Sequence, residues 1–319
     1  MKSKKPYIAV APMMDWTDRH CRYFHRLISP HAHMYAEMVT TGALLHGEQD
    51  RFLRFSEAEQ PVALQLGGSD PAALATCAQM GEAYGYDEIN LNCGCPSDRV
   101  QSGRFGACLM KEPETVASCV AAMADAVSVP VSVKCRIGID DMDDFSFLNK
   151  FIEGVSQAGC QKFVIHARKA WLSGLSPKEN REVPPLRYDI AARVKEEYPH
   201  LMIVLNGGIK TVAEVAAQQA VFDGVMIGRE AYQSPYFLAD VEGAVFGNKA
   251  ILPRETIARA MIPYIAEQNR LYGTPAKSVT RHMMGLFNGL PGARKWRRLL
   301  TETHCIETAL TAFTDRLAA

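Results

Sequence analysis

The feature that most constrains the fold is an eightfold alternation of short apolar segments with stretches of helical periodicity. Helix start signals stand between the segments: Ser69-Asp70-Pro71 supplies a cap and a first-turn proline, and Glu112-Pro113 opens another helix. This rhythm predicts an α/β fold, a (β/α)8 TIM barrel. A doubly wound sheet is the alternative, and the absence of G-x-G-x-x-G after the first strand weighs against it. The segments lie at residues 7–13, 35–39, 62–66, 88–92, 131–135, 163–166, 202–205 and 224–227.

The strand pattern stops after residue 247. Residues 255–273 and 279–304 instead carry helical periodicity, interrupted by Gly273 to Pro275. The pattern predicts a C-terminal all-α helical bundle. We place the catalytic barrel at residues 1–247 and the helical domain at residues 248–319.

Charge is divided unevenly along the chain. The totals of 35 Lys+Arg and 35 Asp+Glu cancel, which at first argues against a nucleic-acid partner. Residues 251–319, however, hold ten basic and five acidic residues, leaving 25 basic and 30 acidic residues in the first 250. The tail is therefore +5 and the larger part −5. This asymmetry favours an anionic partner for the tail, with a merely solvated helical face as the alternative.

The composition excludes several classes of protein. With 48% hydrophobic and 22% charged residues, the chain is typical of a soluble globular protein. No segment reaches the ~18 uninterrupted apolar residues of a membrane span, and the N-terminus lacks a leader pattern, so we expect a cytoplasmic protein. The nine cysteines are an odd number and lie mostly in apolar stretches, which argues against a disulfide framework.

Polar and glycine residues cluster where the predicted strands end, and barrels of this type carry their chemistry at that end. Glycines at strands seven and eight, with an arginine beside them, predict a phosphate site. In strand order, the residues are Pro12, Met13 and Met14; Gln65; Asn92 and Cys95; Lys134 and Arg136; His166 and Arg168; Asn206, Gly207 and Gly208; and Gly228 and Arg229.

Lys134 lies in a strand otherwise made of Val, Ser and Cys, where an unpaired charge is costly. It therefore needs an anionic partner or a special task. One task is an aldolase-like Schiff base, and the other is to face negative charge that develops on a cofactor. His166 donates to the same cofactor or is a satisfied core histidine.

Cys95 lies in a Gly-Cys-Pro turn directly after a strand, unlike the cysteines in apolar helices. An ordinary thiol is protonated at neutral pH, which suits a proton donor. Cys93 stands two residues earlier, but no further Cys or His pair with metal-ligand spacing completes a zinc site. We therefore expect no metal.

Long motifs then identify a family. The chain resembles the tRNA-dihydrouridine synthases, closest to their bacterial subfamily A, over nearly all of residues 7–300. It departs from the family's N-x-G-C-P pattern at Cys93, where an aliphatic residue is usual. The motifs are APMMDWTDRHCR, EMVTTGALLHG, QLGGSDP, INLNCGCPSDRV, FGACLM, VKCRIGIDD, FVIHARKAWLSGLSPKENR, NGGIK and GVMIGREAYQ.

The resemblance implies an FMN-dependent oxidoreductase that is reduced by NADPH and converts tRNA uridine to 5,6-dihydrouridine. It implies that hydride passes from flavin N5 to uracil C6 while Cys95, the general acid, protonates C5 from the opposite face. Asn92 helps to position the uracil, which must leave its stack. The subfamily implies U20 and U20a of the D-loop as targets.

The resemblance also assigns the cofactor contacts. Pro12, Met13 and Met14 lie along the flavin, and Gln65 hydrogen-bonds the isoalloxazine. Lys134 faces the N1/O2 edge, where positive charge favours the anionic reduced flavin, and His166 is its neighbour. The phosphate is held by Asn206, Gly207, Gly208, Gly228 and Arg229.

Basic residues are the candidate tRNA contacts, because phosphates attract Lys and Arg. Trp171 and Trp296 either stack on a base or pack in the core. We expect a monomer without a membrane partner. The candidate contacts are Arg136, Arg168, Lys178 and Arg181 near the barrel and Arg294, Arg297 and Arg298 in the tail.

Two rival functions share part of this pattern. A dihydroorotate dehydrogenase-like FMN barrel acting on a small pyrimidine explains the phosphate site, the lysine and a cysteine acid, but not the basic tail. A flavin-free RNA-binding protein on a decayed barrel leaves Cys95, Lys134 and His166 unexplained.

Overall fold

A parallel β-barrel forms the centre of the molecule. The computed structural model describes residues 6–314; residues 1–5 and 315–319, at the outer ends of the two predicted domains, lie outside the described residues. The strands are β1 (Tyr7–Val10), β2 (Met34–Tyr35), β3 (Val39–Thr40), β4 (Val62–Gly67), β5 (Glu88–Cys93), β6 (Val131–Arg136), β7 (Lys162–His166), β8 (Met202–Asn206) and β9 (Gly224–Ile227).

The barrel is closed by the first and last strands. All strand pairs are parallel, in the order β1-β9-β8-β7-β6-β5-β4-β2. On its other edge, β1 exchanges backbone hydrogen bonds with His33: Val10 N donates to His33 O at 2.9 Å, and His33 N donates to Ile8 O at 2.8 Å. The predicted TIM barrel is confirmed.

The second barrel strand is interrupted. The sequence predicts one strand at 35–39, whereas β2 and β3 are separate. Tyr35 pairs with Ala63, and Val39 pairs with Leu66. Between these two pairs the second barrel strand advances four residues while β4 advances three. The extra residue is a β-bulge, which bends the strand next to the mouth of the barrel.

Helices surround the strands and continue after them. Asp70 caps α4 by accepting from Ala73 N at 2.7 Å, and Pro71 is its first residue, as predicted. None of the described helices is long and apolar enough to cross a membrane. The helices are α1 (Arg19–Ile28), α2 (Thr41–His46), α3 (Gln49–Leu53), α4 (Pro71–Ala83), α5 (Asp98–Ser102), α6 (Pro113–Ala126), α7 (Phe145–Gln157), α8 (Tyr188–Glu197), α9 (Val212–Gln219), α10 (Arg229–Gln233), α11 (Phe237–Phe246), α12 (Arg254–Tyr272), α13 (Ala276–Thr280), α14 (Ala293–Thr303) and α15 (Ile306–Thr314).

The helical periodicity at 279–304 does not correspond to one continuous helix. A 3₁₀ turn at Arg281–Met283 and a series of turns separate α13 from α14. Gly289 and Gly292 adopt left-handed φ values of 83° and 88°, outside the range of a right-handed helix, and Gly292 is the N-cap of α14. A side chain at Gly285 would place its Cβ 2.2 Å from Gln233 O, so this turn packs directly on α10.

The C-terminal helices pack against α1. Tyr23 stacks on Tyr264 of α12 with ring centroids 4.0 Å apart, and His20 Nδ1 lies 2.8 Å from the Tyr264 hydroxyl. Asp18, the N-cap of α1, pairs with Arg281 at 2.7 Å and with His282 at 3.0 Å. The described elements after β9 are all helical. The domain boundary at residue 247 stays a prediction.

Candidate active site

The predicted site residues converge because parallel strands end at the same rim of the barrel. In register, Asn92 of β5 pairs with Lys134 of β6, and His166 of β7 lies between Arg136 and Asn206. Alternation along each strand turns these side chains toward the barrel axis. One cluster at the mouth therefore unites side chains from four strands.

The turn that carries Cys95 is held from two sides. Asn92 Oδ1 accepts hydrogen bonds from Gly94 N and Cys95 N, each at 3.0 Å. Arg136 Nε donates to Gly94 O at 2.8 Å. The Cys95 thiol is partly exposed and lies 3.6 Å from the Ser97 hydroxyl. The turn thus presents a thiol to the barrel mouth on a fixed backbone.

Cys93 occupies a different environment from Cys95. Its side chain is fully buried, and burial raises the pKa of its thiol well above the usual value. Among the residues that the structure describes, no group of three or more His, Cys, Asp and Glu side chains is arranged to hold a metal. The two thiols therefore differ in exposure: that of Cys93 is buried and that of Cys95 is partly exposed.

The backbone of Lys134 is paired in the sheet, but its side chain has no hydrogen bond or ion pair with any residue in the described range 6–314. Burial, with the neighbouring charge of Arg136, lowers its pKa to about 8. Burial likewise lowers the pKa of His166 far below its usual value, with Arg136 and Lys134 adding to the effect. A neutral imidazole therefore lies beside a lysine that lacks a counter-charge, an arrangement that fits an anionic ligand.

Glycines line the rim after β8. Gly207 and Gly208 have left-handed φ values of 116° and 77°. A Cβ on Gly207 would lie 2.8 Å from the His166 ring, and one on Gly208 would lie 2.6 Å from the Tyr188 hydroxyl. Asn206 Nδ2 donates to Met226 O at 2.8 Å and joins β8 to β9. Only glycine fits this narrow rim.

Three arginines crowd the same side of the mouth. Arg229 begins α10 directly after Gly228, the position at which TIM barrels often bind phosphate. Burial lowers the pKa values of Arg168 and Arg181, and the charge of Arg229 lowers them further. Arg229 also pairs with Glu182 at 2.6 Å. The mutual repulsion of the arginines and the glycine rim fit a bound phosphate group.

The remaining predicted flavin contacts lie at the first and third barrel strands. Pro12 and Met13 are half-buried just after β1, whereas Met14 is 56% exposed. Gln65 is buried, and its side chain accepts from Asn92 at 2.8 Å. The structure places all four residues at the barrel mouth or directly below it.

The candidate tRNA contacts divide by exposure. Arg136 is only 3% exposed, and its guanidinium also bonds Lys169 O and Asn180 O, so the structure gives it a positioning role rather than an open surface. Trp296 is fully buried and donates to Met283 O, which places it in the core. Arg168 is half-buried. The exposed candidates are Lys178, Arg181, Arg294, Arg297 and Arg298.

A cavity of about 970 Å³ between α1 and the C-terminal helices was missed by the sequence analysis. Cations from separate parts of the chain line it. Arg19 and Arg51 come from the barrel, and Lys277 and Arg281 come from the tail. The positive charge of the tail indicated the two cations that the tail contributes. Only the packing of the tail against α1 shows that cations of the barrel domain lie beside them.

Comparisons with known proteins identify the family of the chain. A family model described as dihydrouridine synthase (Dus) matches residues 9–317. The chain is 57% identical over 314 residues to the tRNA-dihydrouridine(20/20a) synthase of Vibrio parahaemolyticus, covering 98% of this chain and 96% of that relative. It is 60% identical over 296 residues to the protein of the same description from Escherichia coli K12, covering 92% and 85%. A Shewanella oneidensis relative so described is 58% identical over 295 residues, covering 92% and 88%.

Proposed function

The chain belongs to the dihydrouridine synthase family, and on that premise we propose that it reduces uridines of the tRNA D-loop, at positions 20 and 20a, to 5,6-dihydrouridine. The relatives described as tRNA-dihydrouridine(20/20a) synthases match 98% and 92% of this chain. The observation that carries the proposal is the partly exposed Cys95 thiol, on a fixed turn, at a barrel mouth lined by cations.

We propose FMN as the bound group and NADPH as the reductant. FMN, when bound, supplies the hydride to the uracil ring. Lys134 and His166 would face the flavin, with Gln65, Pro12, Met13 and Met14 as further contacts. The phosphate would meet Asn206, Gly207, Gly208, Gly228 and Arg229. Support comes from Lys134, which lacks a counter-charge among the described residues, and from the glycine rim.

Cys95 would supply the proton that completes the reduction. Its Sγ donates to C5 of the uracil, and the thiolate that results is reprotonated by solvent after product leaves. Asn92 and Arg136 hold the two sides of the Cys95 turn, so the thiol meets the base without a reorganisation of the backbone. The neutral His166 adds no competing charge beside the substrate.

A strain that lacks the gene tests the proposed function. Its tRNA should lose dihydrouridine at positions 20 and 20a and regain it when the gene is restored on a plasmid. Purified protein should also carry FMN that trichloroacetic acid releases. If the deletion strain kept its dihydrouridine at both positions, the proposed target would be contradicted. If the purified protein carried no flavin, the proposed cofactor would be contradicted.

The exposed arginines of α14 are proposed to contact the tRNA backbone. Arg294→Glu/Arg297→Glu should weaken tRNA binding and reduce the dependence of the binding constant on salt by about one unit of slope per lost phosphate contact. NADPH should still reduce the flavin at the unchanged rate. Fluorescence anisotropy with labelled tRNA at several salt concentrations measures the effect.

The control is Arg193→Glu, at an exposed arginine of α8 in the barrel domain, and it makes half of the charge change of the double variant. This variant should keep an affinity for tRNA within about twofold of wild type, because the changed residue lies outside the proposed contact surface on α14 and alters only the net charge. An equal loss of affinity in this control would mean that net charge, and not the surface of α14, determines binding.

A further inference from the structure

A row of polar side chains fills part of the barrel interior, where branched apolar residues usually dominate. Glu88, Asn90 and Asn92 alternate along β5 and therefore face the barrel axis. Gln65 of β4 and Ser132 of β6 flank Asn90 in register. All five are at most 8% exposed. We refer to these five residues as the polar relay.

Hydrogen bonds connect the polar relay from end to end. Asn92 Nδ2 donates to Gln65 Oε1 at 2.8 Å, and Gln65 Nε2 donates to Asn90 Oδ1 at 2.8 Å. Asn90 Nδ2 donates to Ser132 Oγ at 2.7 Å. The Ser132 hydroxyl then donates to the Glu88 carboxylate. Each proton therefore points away from the mouth, toward Glu88.

The direction of the relay is determined at Glu88. Burial alone would raise the pKa of this carboxyl, but the ammonium of Lys162, 2.7 Å away, outweighs burial and holds the pKa below its usual value. An ionised carboxylate only accepts hydrogen bonds. Ser132 has one hydroxyl proton, which it gives to Glu88, so its oxygen must accept from Asn90.

The orientation of each side-chain amide determines the orientation of the next amide in the polar relay. An amide has its nitrogen on one side and its oxygen on the other, so a nitrogen turned to one neighbour turns the oxygen to the opposite neighbour. Asn90 therefore offers oxygen to Gln65, and Gln65 offers oxygen to Asn92. Asn92 in turn presents Oδ1 to the N–H groups of Gly94 and Cys95.

A reversed Asn92 would break the turn. Its amide nitrogen would then face two backbone donors and could accept from neither of them. The Gly94 and Cys95 N–H groups would lose their partner in a half-buried turn, which is unfavourable. The backbone that carries the thiol therefore depends on an orientation that is decided four side chains away.

We propose that Glu88, Ser132 and Asn90 are positioning residues that fix the amide orientation of Gln65 and Asn92 and, through Asn92, the Cys95 turn. None of the three touches the reacting atoms; they act through the hydrogen bonds of the relay. The inference rests on the proposed function only where it gives Cys95 and Gln65 their roles in the reaction.

Hydrogen exchange in Ser132→Ala tests the relay without using activity. Alanine removes both hydrogen bonds of Ser132 and frees Asn90 to rotate. The amides of Gly94 and Cys95 should then exchange about tenfold faster, measured by mass spectrometry on the peptide that spans the turn. The control is Val164→Ala, which changes an interior side chain of β7 that does not belong to the polar relay. Unchanged exchange in Ser132→Ala, or an equal rise in Val164→Ala, would overturn the proposal.

A second pair of variants reverses and restores the direction. In Glu88→Gln, the Lys162 ammonium attracts the carbonyl oxygen of the new side chain, so the amide nitrogen faces Ser132. The direction of every hydrogen bond in the polar relay is then reversed. Exchange at Gly94 and Cys95 should again rise about tenfold. In Glu88→Gln/Lys162→Met, the oxygen is free to face Ser132, and exchange should return to within about twofold of wild type. Fast exchange that persists in the double variant would overturn the proposal.

Kinetics then connect the relay to the reaction. Ser132→Ala should lower the rate of dihydrouridine formation at saturating tRNA about tenfold and leave the KM for tRNA unchanged, because the relay acts on the thiol and not on the tRNA surface. A changed exchange rate with an unchanged reaction rate would overturn the catalytic half of the proposal. If the proposed function itself fails, the wild type forms no dihydrouridine, whereas the exchange result is unaffected.

Discussion

Cys95→Ala should lower the rate of dihydrouridine formation by about 100- to 10,000-fold, the range over which a general acid contributes to catalysis. The variant should keep its FMN and its affinity for tRNA, since the thiol is partly exposed and bonds only Ser97 among the described contacts of its side chain. Single-turnover assays on unmodified tRNA, with flavin content measured in the same preparation, provide the measurement.

Cys93→Ala is the matched control, two residues earlier on the same chain. It removes a buried sulfur and should destabilise the fold by about 1 kcal/mol through the cavity that it leaves. The rate of dihydrouridine formation should stay within about twofold of wild type. Equal rates for wild type and Cys95→Ala would refute the acid assignment, and a loss confined to Cys93→Ala would transfer the role to the buried thiol.

Lys162→Met should lower the free energy of unfolding by about 3–5 kcal/mol at pH 8, because it leaves the buried carboxylate of Glu88 without its counter-charge. Lys162 Nζ also donates to the Tyr7 hydroxyl at 2.6 Å, so a second bond is lost. Urea unfolding followed by circular dichroism measures the change. Arg187→Met, which breaks the exposed pair with Asp189, is the control and should cost under about 1 kcal/mol.

The loss should depend on pH. In the wild type, the pKa of Glu88 lies below its usual value, so the pair stabilises the fold above the unfolded-state pKa and loses this effect as pH falls through the folded-state pKa. In Lys162→Met, burial acts without the lysine and raises the pKa of Glu88. The folded variant then takes up a proton at Glu88 as the pH falls. The difference in free energy of unfolding between wild type and variant should therefore decrease between pH 8 and pH 5. A deficit that is constant with pH, or no larger than that of Arg187→Met, would contradict the prediction.

The barrel could be predicted because its sequence signals are local. Most of the strands are short apolar runs, and Asp70 with Pro71 indicates the start of a helix. Lys134 was found for the same reason: a charge in an apolar strand is visible without knowing its neighbours. The strand-end residues followed from the rule that parallel strands present one common rim.

The buried network at the barrel floor could not be predicted in this way. Glu88 and Lys162 stand at the first residues of their strands, where a charge usually faces solvent. Only the closed barrel brings them together across 74 positions and adds Tyr7 from the first strand. The same argument applies to Trp296: its position among basic and apolar neighbours in α14 does not reveal which face of the helix the core covers.

Closure of the barrel has a consequence for synthesis of the chain. Tyr7 pairs with Gly224, and α1 receives its last ion pairs from Arg281 and His282. At roughly 5–20 residues per second, the ribosome takes on the order of 10–45 s to make the segment between the two strands. One edge of β1 therefore waits, unpaired, for most of translation. An unpaired apolar edge is open to other strands, and the early neighbour His33 does not cover it, because His33 pairs with the opposite edge of β1.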